Sequence, residues 1–468
     1  MKRPYCGIPF GALFSIVLLV GCHPSGPAFA PPPETEDQLA GSPGPINVHS
    51  GPFFQFKGGK SGGNTPISNV GGTALIGDPQ RAFFSVTDGG GLDKCRRKYY
   101  KPGCGVVYKL TPTHRIAYEE TVLHQFDNTD GGVPEAALVE DGAGNLFGTT
   151  SIGGKYHDGT VFELARTGST YRETVLHSFE GGDDGAAPTS PLIFGKGGVL
   201  YGTTSGSLIE NCNGVKACGT VFRIDSSGAH YKVLYVFKNG GAAGWNPSSA
   251  VVMDGKGALF GTTAGNCCGT VYELAPTGSG SYEERTLHAF RGTDGAMPNG
   301  GLLDESGTLY GVTYFGGTGG CKTFHYYFPP GCGTIFKLTP NGSRNFSESV
   351  IHDFTIADLA GGISPYAGLT LGQGGFFYGT ASGGGNTTGE CYSSSPYGYF
   401  PGGCGVVYRI RPDGSDYRVL LRFEQEKGGE FPEGAYPNSR LLAVDGTLYG
   451  TTPFGGRYDF GAAFKIVL

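Results

Sequence analysis

The chain has 468 residues, among them 86 glycines and 30 prolines, with 16% charged residues and a formal net charge of −6. No basic tract is long enough to neutralise a stripe of phosphates, which argues against nucleic acid as a partner. The glycines fall at fixed places in a pattern rich in Val, Thr, Tyr and Phe, so they punctuate short strands and do not mark a disordered linker.

Lys2 and Arg3 precede an apolar segment, Phe10 to Val20, that is short for a membrane span and ends in LVGC at 19. That ending resembles the lipobox of bacterial lipoproteins. The resemblance implies a signal peptide over 1–21, cleavage before Cys22, and lipid on the Cys22 thiol; an ordinary secretory signal is the competing reading. His23 in place of Asp after the cysteine implies, in that family's sorting logic, the outer membrane. Residues 22–45, with PAFAPPPETED and GSPGP, read as a Pro-rich tether, and 46–468 as the folded domain.

A unit of roughly 50 to 70 residues then recurs to the end of the chain. Its first spine reads FFSVT at 83, LFGTT at 146, LYGTT at 200, LFGTT at 259, LYGVT at 309, FYGTA at 377 and LYGTT at 448. Its second reads GVVYKL at 105, GTVFEL at 159, GTVFRI at 219, GTVYEL at 269, GTIFKL at 333, GVVYRI at 405 and GAAFKI at 461. In the third copy, PTSPLIF at 188, VLYGTT at 199, GTVFRI at 219 and YKVLYVF at 231 give four strands separated by GKGG and DSSG turns.

Four strands in each of seven copies predict an all-β, seven-bladed β-propeller of antiparallel blades over 66–126, 134–179, 188–237, 247–290, 298–354, 365–423 and 437–468. The last copy stops after its third strand. INVHSGPFFQF at 46 matches the missing fourth and predicts that the N-terminal segment closes the ring. An open β-solenoid is the alternative and has no use for this phase shift. The combination of LYGTT, GTVFxL, VLHxF and GxDGxxP resembles the tandem repeat called GloVer, found in bacterial surface and secreted proteins, over about 80–468. The resemblance implies a propeller-like extracellular repeat domain and supplies no reaction and no catalytic residues.

Ten cysteines fall two by two inside single loops: Cys95 with Cys104, Cys212 with Cys218, Cys267 with Cys268, Cys321 with Cys332, and Cys391 with Cys404. Each second member directly precedes the glycine of the second spine, so five loops read as individually stapled, as in an oxidising compartment. Adjacent Cα atoms lie about 3.8 Å apart, closer than an unstrained disulfide prefers, so the Cys267–Cys268 pair is either a vicinal bridge or two thiols.

His124, His177, His288 and His352 share one position in the fourth strand, but that position also holds Tyr235, Leu421 and Phe54. Alternation sets His177 on the face of Val175 and Phe179, so the position reads as packing between sheets. Asp130, Asp184 and Asp294 sit in Asp-Gly turns just before a proline; these offer too few oxygens for calcium, and no cysteine pair has zinc spacing. No metal and no cofactor is expected.

GxSxG and HExxH are absent, and no catalytic residue can be named. The strongest functional signal lies in three stapled second-to-third-strand loops, DKCRRKYYKPGC at 93, CKTFHYYFPPGC at 321 and ECYSSSPYGYFPGGC at 390. They belong to blades one, five and six, which flank blade seven with its short loop FGGRYDFG at 454, so they predict an aromatic arc with a notch. Tyr99, Tyr100, Tyr326, Tyr327, Tyr399 and Phe400, with Lys98, Lys101 and His325, are the candidate ligand-binding residues; a local mini-core over the blade tops is the competing reading. The expected function is a lipid-anchored binding or scaffolding propeller, monomeric, on the cell envelope or secreted, with a glycan or an envelope protein as partner. An envelope enzyme acting on polysaccharide at the channel mouth is the alternative.

Overall fold

The computed structural model describes residues 49–57, 75–78, 82–95, 103–113, 117–206, 218–238, 241, 243–247, 249–265, 268–278, 280–321, 329–342, 345–386, 402–424, 433–458 and 460–468. Its strands form seven antiparallel sheets, each a blade. In the first blade Ile76–Asp78, Ala82–Thr87, Val106–Pro112 and Tyr118–Gln125 pair in chain order. The same order repeats through the next five, with the first strand of the sixth blade split into Ile363–Pro365 and Thr370–Leu371. In the seventh, Leu442–Val444, Thr447–Thr452 and Ala462–Val467 are completed by the N-terminal strand His49–Gln55. His49 faces Val467 and Gln55 faces Ala462, as the phase shift predicts.

Seven apolar cores lie between the blades. Phe162 and Leu164 of the second blade pack back against Val107 and Phe126 of the first, while Val161 and Phe147 pack forward against Leu200 and Phe222 of the third. Burial on both faces is why the second spine reads Val-Phe without a polar break. The seventh core joins Phe53, Phe56 and Tyr449 to Phe83, Val106 and Tyr108, so the last blade meets the first and the ring is closed. An open solenoid is ruled out.

Two glycines of the repeat follow from close approach. Gly148 pairs with Phe162, whose ring lies over it, and a Cβ there would sit 2.6 Å from Phe162 Cζ. Gly159 has φ +97°, and a Cβ would meet Pro188 Cδ of the next blade at 2.7 Å. The proline after each Asp-Gly turn thus seats on the preceding blade's second spine.

Strict alternation fails in the fourth strand. His177 pairs with Val161 and Val175 with Phe162, leaving Leu176 as an extra residue, and the same irregularity recurs in the fourth strand of every blade. Such a bulge re-aims side chains. Leu123 joins the core ahead of its blade together with Phe126, whereas Val122 joins the core behind. The histidine position therefore shares its face with the following phenylalanine and the preceding leucine. The alternation that grouped His177 with Val175 is corrected by this bulge.

Candidate functional site

Connections from second to third strands and from fourth strands to the next blade emerge on one face. Lys94 donates to Asp127 Oδ2 at 2.7 Å and so ties the first blade's long loop to its Asp-Gly turn. That pair holds the Asp127 carboxyl well below the usual carboxylate range.

Cys95–Cys104 and Cys321–Cys332 are disulfides within single loops, with Cα atoms 4.9 and 5.0 Å apart. Cys404 is also disulfide-bonded, and its expected partner Cys391 lies outside the described residues. Cys218 is buried, with Cys212 outside the described residues. Cys268 is a buried free thiol whose pKa burial pushes up, and its neighbour Cys267 lies outside the described residues.

Tyr99, Tyr100, Tyr326, Tyr327, Tyr399, Phe400, Lys98, Lys101 and His325 all lie outside the described residues, as does Cys22. The stems that carry their loops are described. Gly90 bridges Gly103, and Gly316 bridges Cys332 at the mouth of the equivalent loop. Pro329, at the end of the fifth blade's loop, lies over Gly292 of the preceding turn.

The face carries aromatics that the sequence reading passed over. Tyr156 is 39% exposed beside Lys155, and Tyr458 is 41% exposed beside Arg457, with cation-to-ring distances of 4.7 and 5.8 Å. Each follows two glycines of positive φ, Gly153–Gly154 and Gly455–Gly456. The matched segments GGKYHDG and GGRYDFG were the available signal. Tyr458 stands in the short seventh-blade loop that was read as a notch.

The histidines and the aspartates, read separately from sequence, form one arrangement. His124 Nε2 lies 2.9 Å from Asp130 Oδ2, His177 Nε2 3.1 Å from Asp184 Oδ2, and His288 Nε2 3.1 Å from Asp294 Oδ2. Each imidazole also stands edge-on to the phenylalanine two residues later, at 4.8 to 4.9 Å between centroids. Packing between blades is thus correct for this position, and the Asp-Gly turn supplies its polar partner. The turn's carbonyl is held by the following blade, since Thr160 Oγ1 donates to Asp130 O at 3.3 Å and Thr334 Oγ1 to Asp294 O at 3.3 Å.

The next blade presents its own fourth strand to each histidine. Glu173 faces the His124–Asp130 pair and Glu348 the His288–Asp294 pair; burial pushes both carboxyls up to about 7. At the same position Tyr231 stacks on His177 at 3.7 Å and donates to Asp184 O at 2.6 Å, and Tyr417 stacks on His352 at 4.0 Å. The position lies four residues before the histidine site, so the partnership joins one copy to the next and is invisible within a single copy.

The sequence pattern of the Gloeobacter/Verrucomicrobia repeat family matches residues 73–325, 212–400 and 268–468. The chain belongs to this repeat family. No curated protein matches this Gloeobacter/Verrucomicrobia repeat chain. Among solved structures it is similar to a Bacteroides uniformis protein described as a candidate 6-phosphogluconolactonase, at 12% identity over 83% of this chain and 100% of that one, with a TM-score of 0.46. It is also similar to a candidate gluconolactonase, at 16% identity over 66% of this chain and 80% of that one, with a TM-score of 0.36. At such values neither likeness speaks to the chemistry of the Gloeobacter/Verrucomicrobia repeat.

Among the described residues no helix is long and apolar enough to cross a membrane. The two loop disulfides are compatible with an extracytoplasmic compartment.

Proposed function

We propose that this chain is a recognition or scaffolding propeller that contacts a glycan or an envelope protein through its loop face. One observation carries the reading. Of the seven exposed large apolar side chains among the described residues, Leu92, Tyr156, Ile356 and Tyr458 stand in loops of that face. Apolar and aromatic groups held in water suit contact with a flat sugar ring or a partner side chain, and beside Leu92 the Cys95–Cys104 bridge reduces the ordering lost on binding. Tyr99, Tyr100, Tyr326, Tyr327, Tyr399 and Phe400, with Lys98, Lys101 and His325, would extend the same surface. The clustered histidines and glutamates lie on outermost strands, away from the axis, with their aspartates in the adjoining turns, which favours binding over catalysis at the channel mouth.

The test is a glycan array and an envelope-protein pull-down with the purified chain, followed by Tyr458→Ala and Tyr327→Ala. Truncating an anchor should weaken binding by about 2 kcal/mol, roughly thirtyfold. A ligand whose affinity survives both substitutions sinks the loop-face reading.

The same proposal places the chain at the bacterial envelope, with Cys22 lipidated, 1–21 removed and 22–45 as tether. Cys22→Ala should move the protein out of the membrane fraction; continued membrane partition would argue against the anchor.

A further inference from the structure

Two junctions in the ring differ from the others in a way that packing does not explain. Between the first and second blades, a ring nitrogen of His124 and one carboxylate oxygen each of Asp130 and Glu173 lie within 4.8 Å of one another; between the fourth and fifth, His288, Asp294 and Glu348 repeat the arrangement. In both, one carboxylate oxygen, Glu173 Oε1 or Glu348 Oε1, is buried with no hydrogen-bond partner. A buried acceptor left without a donor is costly, and one orphan recurring at two equivalent places calls for a physical reason.

Three of the other junctions act as internal controls. Where the second blade meets the third, Tyr231 occupies the glutamate's place and supplies its own donor, bonding to Asp184 O at 2.6 Å while stacking on His177. Tyr417 does the same beside His352, donating to Gly361 O at 2.5 Å. Where glutamate is kept but histidine is not, Glu284 accepts from Tyr235. Among the described residues, a glutamate is left with a buried, unpartnered oxygen only where histidine and aspartate cluster with it.

We propose that these two junctions each bind one divalent first-row transition ion, of the zinc class, through His124, Asp130 and Glu173 and through His288, Asp294 and Glu348.

The histidine–aspartate geometry is close to what such an ion requires, and the glutamate oxygen, within 4.8 Å, would close in on the ion. Two donors at about 2.0–2.1 Å from a tetrahedral ion stand about 3.3 Å apart, and the histidine–aspartate separations are 2.9 and 3.1 Å. Each aspartate is oriented from behind, Asp130 Oδ1 accepting from Asp127 N at 2.8 Å and Asp294 Oδ1 from Arg291 N at 2.7 Å. The imidazoles are fixed edge-on to Phe126 and Phe290. The histidine and aspartate side chains keep 18 to 20% of their surface in water, so solvent can fill the remaining coordination positions. One nitrogen with carboxylates suits zinc, cobalt or manganese; calcium and magnesium prefer shells made of oxygen alone.

The experiment uses the purified chain in a Cys267→Ser, Cys268→Ser background, so that thiols do not contribute. Chelator-treated protein is dialysed against zinc chloride, and bound metal is counted. The Glu173→Tyr and Glu348→Tyr variants import the side chain that two other junctions already use, which preserves packing; circular dichroism and melting confirm the fold. Two zinc equivalents are expected in the parent, one in each single variant and none in the double, with affinity at an altered junction reduced at least about tenfold. Cobalt(II) visible bands should appear in the parent and vanish in the double variant. Fewer than two equivalents in the folded parent, undiminished binding in the double variant, or displacement of zinc by equimolar calcium would overturn the proposal.

Discussion

At the residue scale, the fourth-strand histidines show how one position takes different chemistry from its neighbours. Among the described residues His352 has no aspartate partner like those of His124 and His288; it is stacked on Tyr417 and edge-on to Phe354. Burial lowers its pKa below the usual 6.5, with Asp353 and Asp358 opposing the shift in part. A histidine whose folded pKa is depressed contributes stability above its unfolded value, and that contribution is lost as pH falls through the folded value. Urea unfolding should therefore show the parent losing stability relative to His352→Phe as pH is lowered from about 7.5 to 5. A difference that stays constant with pH would count against this account. The sequence carried half of the arrangement: both the shared histidine position and the Asp-Gly turn can be read from it. The link between them depends on the bulge before each histidine, and the partner at Glu173 or Tyr231 sits on another copy. Neither has a signature within one repeat.

At the scale of elements, the strands were legible because apolar runs and turn glycines recur with the same spacing. The first strands were less so. PTSPLIF forms a ladder only at Ile193–Phe194, since the proline-rich approach cannot donate regularly. The loop staples follow from the cysteine pairing, and they act on short segments. Replacing Cys95 and Cys104 by serine should cost up to about 2–3 kcal/mol by the chain-entropy argument, and less if the loop opens without unfolding the blade. Chemical denaturation of the paired variant checks the first outcome. Non-reducing peptide mapping that found Cys95 joined to another blade would overturn the local staple. The aromatic tips stay beyond what the spines specify, because loop sequence is not constrained by the repeat. The match between Tyr156 and Tyr458 emerges only when the short loops are compared with each other.

At the scale of the molecule, closure depends on one strand from the far end of the chain. Removing residues 49–56 should leave Ala462–Val467 with an open edge, strip Phe53 and Phe56 from the seventh core, and lower both melting temperature and cooperativity. An unchanged melting profile would mean that the ring does not rely on this strand. The closing contacts reach across nearly the whole sequence: Arg457 N donates to Gln55 Oε1 at 3.2 Å, a separation of 402 residues. Blades one to six can each complete their sheets from contiguous chain, so they can form in the order of synthesis. The seventh cannot. Its outer strand emerges first and its remaining strands last, so the final fastening of the ring must await the carboxyl end, and a chain interrupted anywhere before it keeps a free N-terminal ribbon and no finished circle. Ring closure thus acts as a check on completeness, in which only a chain read to its last strand can lock.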